Sequence, residues 1–137
     1  MSTGAIAVIG ASKNRRKFGN KCVRAFHHAG WDVYPVNPHE DQIEGLVTYR
    51  SLRDVPVTLD RISLYLPPDR TRGLLADLAE FEGVQVWFNP GSADARVLEE
   101  AADAGIDVRD GCSIVDIGLS PSCLLYTSPS PRDFKYD

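Results

Sequence analysis

The chain has 137 residues, a length that fits one ordinary domain with its own hydrophobic core. Hydrophobic residues make up 43% of it and charged residues 25%, and the net charge of −4 gives no basic surplus of the kind that binds nucleic acid. No apolar run is long enough for a membrane span or a signal peptide, so we expect a cytoplasmic protein with no membrane association.

The beginning of the chain predicts a strand followed by a helix. Ala5–Ile9 is a short apolar run, typical of a strand buried on both faces. Over residues 19–29, Cys22 and Phe26 recur at helical spacing, which predicts an amphipathic helix. Gly30 is placed to end this helix in the left-handed conformation, which glycine adopts at little cost.

Strand patterns recur along the rest of the chain. Each begins after a glycine or ends at a proline: residues 31–36, 61–66, 84–88 and 106–108. A weaker pattern lies between the second and third of the predicted strands. Residues 45–49 indicate a short strand-like piece, and residues 51–56 indicate one helical turn.

Two helical patterns, at residues 70–81 and 93–104, fill the remaining gaps between strands. Asp69 and Ser92 stand at the expected N-cap positions of these helices. Strands that alternate with helices predict an α/β fold, a Rossmann-like doubly wound parallel sheet of about five strands in a single domain, residues 1–121. We expect the strand order 3-2-1-4-5.

Residues 122–137, at the end of the sequence, differ in composition from the rest. Their hydrophobic residues have neither helical nor strand spacing. This pattern predicts a non-native or disordered tail. Residues 123–133 resemble the translation of a transposase-type sequencing adapter, and residues 134–137 would then be index sequence. We exclude the tail from the fold prediction for this reason.

The loop after the first predicted strand is the most informative candidate site. Parallel sheets bind ligands beyond the carboxyl ends of their strands, and free N–H groups at a helix N-terminus attract phosphate. Gly10, Ala11 and Ser12 form a turn here. A basic loop and the start of the helix follow, with these candidate ligand-binding residues: Lys13, Arg15, Arg16, Lys17, Gly19 and Asn20. Alternatively, the turn is only structural and the basic run is a solvated loop.

The choice of nucleotide depends on the end of the second predicted strand. An NAD site needs the spacing G-x-G-x-x-G and an acidic residue there for the ribose 2′-hydroxyl. This chain lacks that spacing and has Asn37 and Pro38 in place of the acid. A ligand with an additional ribose phosphate would suit the basic loop better, so both coenzyme A (CoA) and NADP remain candidates.

Several short motifs, spread over residues 5–117, resemble those of the small stand-alone CoA-binding proteins. These proteins are similar to the CoA-binding domain of the succinyl-CoA synthetase α subunit. The matching pieces are Ala7-Val8-Ile9-Gly10-Ala11-Ser12, Val33-Tyr34-Pro35-Val36-Asn37-Pro38, Gly45 with Tyr49-x-Ser51-Leu52-x-Asp54-Val55-Pro56, Leu66-Pro67-Pro68, and Asn89-Pro90-Gly91.

The resemblance implies a Rossmann-like domain that binds CoA or an acyl-CoA and is non-catalytic on its own. It places the Gly10 turn at the pyrophosphate and Asn37 and Pro38 beside the adenosine. Pro67 and Pro68 would flank the pantetheine. The remaining residues that it adds to the candidate site are Asn89, Pro90 and Gly91. The phosphorylated histidine and the ATP-grasp partner of a synthetase are not visible in this chain, so that activity is not implied.

Other functions stay open as alternatives. The chain could be an NADP-dependent reductase, or an acyl-CoA-processing enzyme that a partner completes. The three cysteines form no C-x-x-C pair and indicate reduced thiols. We expect Cys22 in the core, whereas Cys112 could form a mixed disulfide with CoA. The histidines have no second ligand at metal spacing, so no metal site is predicted.

The adapter interpretation of the tail gives a direct prediction. A copy of the gene that is cloned independently from its source is expected not to encode residues 123–133, because an adapter is added during library preparation. Sequencing of the amplified locus checks this. Recovery of the same residues from genomic DNA would show that the tail is native.

Overall fold

A parallel sheet is the centre of the fold of residues 2–121, the part of the chain that the computed structural model describes. In chain order, its elements are β1 (Ala5–Ile9), α1 (Phe18–His28), β2 (Asp32–Val36), β3 (Gln42–Ile43), β4 (Leu46–Val47), a 3₁₀ turn (Leu52–Asp54), β5 (Arg61–Leu64), α2 (Pro68–Gly73), α3 (Leu75–Leu78), β6 (Gln85–Phe88), α4 (Ala95–Asp103), β7 (Asp107–Asp110) and α5 (Ser113–Asp116). Within this range the main sheet has five strands, all parallel, so the predicted Rossmann-like α/β fold is confirmed.

The predicted strand order is wrong at one position. The order is β2-β1-β5-β6-β7, so the third strand of the sheet, β5, lies beside β1 and not outside β2. Pro35 explains why β2 is the outer strand, because proline has no N–H to donate to a further strand and is confined to edges. On its outer side, among residues 2–121, β2 accepts a hydrogen bond from the Tyr49 N–H, which donates to the Pro35 carbonyl at 2.9 Å.

The order of the strands also decides which helices lie on which face. The chain moves outward in one direction from β1 to β2 and in the opposite direction from β5 to β7. Crossovers of the same hand must therefore lie on opposite faces of the sheet. One apolar cluster joins α1 and α5 to the sheet, around Phe26 and Ile114, and a second joins α3 and α4 to the other face, around Leu78 and Phe88.

The helix predictions are confirmed in part. The first predicted helix is α1, shifted by one residue from residues 19–29. The second, predicted as one helix over residues 70–81, is two short helices that separate at Leu74. The Leu74 N–H donates to Thr71 O at 3.0 Å, a tighter turn than an α-helix has. Gly73 precedes this point, and glycine weakens a helix interior.

Both predicted N-caps are wrong. Helix α4 is capped by Asp94, whose carboxylate accepts a hydrogen bond from the Val97 N–H at 2.9 Å. Ser92 is buried and instead donates its hydroxyl to Asn89 O at 2.7 Å. Helix α2 has Pro68 in its first position with no side-chain cap, so Asp69 lies inside the first turn.

The weak pattern between the second and third predicted strands forms a small hairpin and a turn. Strands β3 and β4 pair antiparallel, and the 3₁₀ turn follows them. The hairpin is held to the main sheet through the bridge between Val36 and Tyr49. This bridge fixes the residues after Tyr49 at the carboxyl end of β2.

No helix within residues 2–121 has both the length and the apolar character needed to cross a membrane. The tail predicted at residues 122–137 lies outside the described residues, as does Met1, and therefore stays a prediction.

Two glycines allow the loop after β1 to pack tightly against its neighbours. A Cβ on Gly10 would lie 2.2 Å from the Tyr65 carbonyl oxygen, and Gly10 also has a φ of +86°. A Cβ on Gly19 would lie 2.2 Å from the Gly10 carbonyl oxygen. Both obstacles are backbone atoms, which cannot rotate away as a side chain can. The end of β5, the turn after β1 and the start of α1 are therefore packed backbone to backbone.

This packing predicts unequal costs for two glycine substitutions. Gly83 also has a positive φ, of +74°, but nothing lies within 4 Å of the Cβ that it would carry. Gly83→Ala is expected to lower the free energy of unfolding by about 1 kcal/mol through backbone strain alone. Gly10→Ala is expected to lower it by more than about 3 kcal/mol, because the clash adds to that strain. Urea denaturation of both variants measures the difference, and equal losses would contradict the packing argument.

Candidate functional site

A cleft of about 1070 Å³ opens over the carboxyl ends of β1, β2 and β5. It lies where the chain reverses direction across the sheet, because β1 leads outward to β2 and β5 leads the other way to β6. Ligands of doubly wound sheets bind at this point. The structure brings these predicted residues together in its lining: Gly10, Ala11, Ser12, Arg16, Lys17, Gly19, Asn37, Pro38, Pro67, Pro90 and Gly91.

Two cations of the basic loop are not in the lining and are paired with acids. Lys13 Nζ lies 3.7 Å from the Glu40 carboxylate, and Arg15 Nη2 lies 3.1 Å from the Glu44 carboxylate. The Arg15 side chain is only 25% exposed, so its pair holds the loop against the β3–β4 hairpin. The positive charge that the loop presents to the cleft therefore comes from Arg16 and Lys17.

Asn20 lies beneath the loop and supports it. Its side chain is fully buried, and Nδ2 donates to Ser12 O at 2.8 Å and to Glu44 Oε2 at 3.0 Å. Its Oδ1 accepts from Arg24 Nε at 2.7 Å. A buried amide with every group paired fixes the backbone that it touches. Asn20 therefore shapes the turn from below and is not part of the cleft lining.

Asn89 has a similar position below the other side of the cleft. Nδ2 donates to Ser63 Oγ at 2.8 Å and to Leu64 O at 2.9 Å, and Oδ1 accepts from the Ser113 N–H at 2.9 Å. This one amide joins the ends of β5 and β6 to the start of α5. Pro68, the remaining predicted residue outside the lining, is the first residue of α2.

Asn37 connects two of the loops that line the cleft. Its Nδ2 donates to Ala11 O at 2.8 Å, and its Oδ1 accepts from the His39 N–H at 2.7 Å. The side chain thus bonds the loop after β2 to the turn after β1. An acid at this position would have no proton to donate to the Ala11 carbonyl, so this loop contact favours an amide.

The N-terminus of α1 faces the cleft without a cap from the chain itself. Lys17 is the N-cap residue and makes no side-chain cap hydrogen bond, and the first turn has no acidic residue. Among residues 2–121, no acceptor takes the N–H groups of Phe18 and Gly19. The partial positive charge of the helix end and the Lys17 ammonium therefore add together, an arrangement that an anion stabilises.

Sequence reasoning missed part of the cleft lining. Phe18 is 56% exposed at the start of α1, and Lys21 Nζ lies 5.0 Å from the centre of its ring. The further missed residues include His39, Arg50, Ser51, Leu52, Arg53, Tyr65, Leu66, Arg70, Leu74 and Asp77. Arg50 and Arg53 flank Ser51-Leu52, which belongs to a motif that resembles those of CoA-binding proteins. Their proximity to this motif could have identified them from the sequence. The others lie on loops and on helices α2 and α3, which only the fold brings together.

Burial raises the pKa of two groups at the cleft, the thiol of Cys22 below it and the hydroxyl of Tyr65 in its lining. The pKa of the Cys22 thiol is raised to about 11. Cys22 is fully buried, so the prediction that it lies in the core is confirmed. Cys112 is half-buried and is not part of the cleft lining. Within residues 2–121, no group of three or more histidine, cysteine or acidic side chains is arranged to hold a metal.

Comparison with solved structures finds the same fold in other small proteins. A conserved hypothetical protein from Pyrococcus furiosus superposes with a TM-score of 0.75 at 34% identity, over 82% of this chain and 98% of that one. A protein from Thermus thermophilus superposes with a TM-score of 0.75 at 27% identity, over 83% of this chain and 87% of that one.

Comparison of sequences relates the chain to larger proteins as well. The alpha subunit of an ADP-forming acetate–CoA ligase II from Pyrococcus furiosus is 32% identical over 76 residues, 55% of this chain. The match spans only 17% of that subunit's length. Residues 4–118 match the family model described as CoA binding domain, which covers most of the chain and confirms the resemblance found in its motifs. The chain therefore belongs to the CoA binding domain family.

Proposed function

We propose that this chain binds CoA or an acyl-CoA in the cleft and is non-catalytic on its own. The observation that carries the proposal is the uncapped N-terminus of α1, which opens into a cleft of about 1070 Å³ at the reversal of the sheet. Nucleotide phosphates bind at such helix ends, and a cleft of this size can enclose a large cofactor. Membership of the CoA binding domain family supports CoA as that ligand.

The pyrophosphate is assigned to the turn after β1. Gly10 and Gly19 pack backbone to backbone, so the turn lies directly against the uncapped N-terminus of α1, where a phosphate can accept from the free N–H groups. Arg16 and Lys17 line the same side of the cleft and supply charge-assisted contacts. Ser12 lies in this turn and has a hydroxyl that can donate to a phosphate oxygen.

The two ends of the ligand are assigned to chemically different walls. Asn37, Pro38 and His39 at the end of β2 form the adenosine side. On the other side, Leu66 and Pro67 offer an apolar wall that a pantetheine or a short acyl chain would contact.

The thiol below the cleft and the hydroxyl in its lining are not activated as nucleophiles. A thiol nucleophile needs a lowered pKa, whereas burial raises the pKa of Cys22. Tyr65 lines the cleft, and burial keeps its hydroxyl protonated as well. These groups favour binding over acyl transfer.

A second candidate function is a partner-completed enzyme that processes acyl-CoA. The similarity to an ADP-forming acetate–CoA ligase subunit favours this candidate, because the matched domain there is part of a much longer chain. A partner would have to supply the reacting groups. Co-purification of a chain that confers ligase activity would support this candidate over a stand-alone binding protein.

Nucleotide preference tests the proposal. A ligand at a hundredfold excess over its Kd stabilises the native state by about 2.7 kcal/mol, a shift that a thermal melt detects easily. We expect CoA to raise the melting temperature, and NADP, NAD and ATP to raise it little at the same concentration. A rise with NADP and none with CoA would contradict CoA binding and favour the reductase.

Two lysines of the basic loop allow a matched test of the phosphate site. Lys17 lines the cleft, whereas Lys13 is paired with Glu40 and lies outside the lining. Lys17→Gln is expected to weaken CoA binding about tenfold, since one charge-assisted contact is lost. Lys13→Gln removes the same charge and is expected to leave the Kd within about twofold. Calorimetric titration measures both, and equal losses would place the phosphates elsewhere.

A further inference from the structure

We propose that Arg50 recognises a phosphomonoester on the ribose of the ligand, so that the site distinguishes CoA from dephospho-CoA. The inference rests on the proposed function and assigns a specificity to the β2 side of the same cleft. Arg50 lies outside the basic loop, and its role comes from its position in the fold.

The backbone places Arg50 at the carboxyl end of β2. Tyr49, the residue before it, donates its N–H to Pro35 O at 2.9 Å and accepts from the Asn37 N–H at 2.8 Å. These two bonds align Tyr49 beside the last residues of β2, so Arg50 enters the cleft next to Pro38. In a Rossmann-like sheet this end of the second strand is where the ribose binds, and an arginine there accommodates a ribose phosphate.

The guanidinium of Arg50 is already oriented in this position. Nη1 donates to the Pro38 carbonyl at 2.6 Å, and Nη2 lies 3.0 Å from Asp41 Oδ1. The Pro38 contact fixes the group against the wall of the cleft and uses only part of its donor set. The Arg50 side chain is 61% exposed, so a ligand can reach the remaining donors.

The Asp41 contact is one that a phosphate can replace. The Asp41 side chain is 89% exposed, and an ion pair between such exposed groups contributes little. A phosphomonoester has a larger charge and several acceptor oxygens, so it competes well for the same arginine. The displaced Asp41 carboxylate is then solvated, so no unpaired charge is left buried.

The other charges at this end of the cleft are arranged in a compatible way. Glu40 is paired with Lys13, and Asn37 holds the position where an NAD site would have an acid. His39 lines the cleft next to Arg50 and can donate a further hydrogen bond. The cleft thus has a cationic region before α1 for a diphosphate and, on a different element, Arg50 for a monoester, while Arg53 and Arg70 also line it.

The test compares CoA with dephospho-CoA, which differ only in the ribose 3′-phosphate. The native chain is expected to bind CoA about tenfold to a hundredfold more tightly, the range of a charge-assisted hydrogen bond. Arg50→Gln is expected to reduce this ratio to near one while the Kd for dephospho-CoA stays within about twofold. Arg50→Lys keeps the charge and is expected to retain part of the ratio.

Two further variants serve as controls. Arg109→Gln removes a comparable exposed arginine, which is paired with Asp107 on β7 outside the cleft lining, and is expected to keep the full ratio. Asp41→Asn removes the competing carboxylate and is expected to strengthen CoA binding without changing dephospho-CoA binding. Unchanged melting temperatures without ligand establish that each variant is folded.

The outcomes separate the two proposals. If Arg50→Gln weakens both ligands equally, or leaves the ratio unchanged, the assignment of Arg50 is wrong while CoA binding stands. If neither ligand binds the native chain, the proposed function fails and the inference with it. A parallel comparison of NADP with NAD identifies the source of the phosphomonoester, and an Arg50-dependent preference for NADP alone would overturn recognition of CoA.

Discussion

The close approach of three backbone segments is the constraint on which the site depends. The turn after β1 lies against the end of β5 and the start of α1 with no side chain between them, because Gly10 and Gly19 occupy the contact points. A methyl group at either position would overlap a carbonyl oxygen. This packing sets the height of the turn above the sheet and directs the first N–H groups of α1 into the cleft.

Buried or partly buried asparagines then hold the loops in this arrangement. Asn20 bonds to the turn after β1, Asn37 bonds that turn to the loop after β2, and Asn89 joins the ends of β5 and β6 to α5. Each amide donates and accepts at once, which neither a carboxylate nor an ammonium can do. The ligand would therefore meet a site whose loops are already ordered, and binding would cost little conformational entropy.

The charges of the site are distributed by the same framework. Lys13 and Arg15 are engaged with Glu40 and Glu44, so they stabilise the loop and the hairpin more than they face the cleft. The cations that line the cleft are instead Arg16 and Lys17 before α1, Arg50 at the end of β2, and Arg53 and Arg70. The Tyr65 hydroxyl lines the same cleft, and burial raises its pKa.

The sequence by itself determined the fold class, most element positions and much of the cleft. The reason is that the spacing of hydrophobic residues and the glycines that end helices are local signals. It also located the Gly10 turn, Asn37 and Pro67 at strand ends, which a parallel sheet gathers at one edge. Only the tertiary structure decided the order of β5, the break at Leu74, the cap at Asp94 and the inward position of Asn20. These features depend on contacts between residues distant in sequence, or on competition between neighbouring caps and turns. No local pattern of charge could show which cations of the basic loop meet an acid and which face the cleft, because that depends on where the β3–β4 hairpin packs.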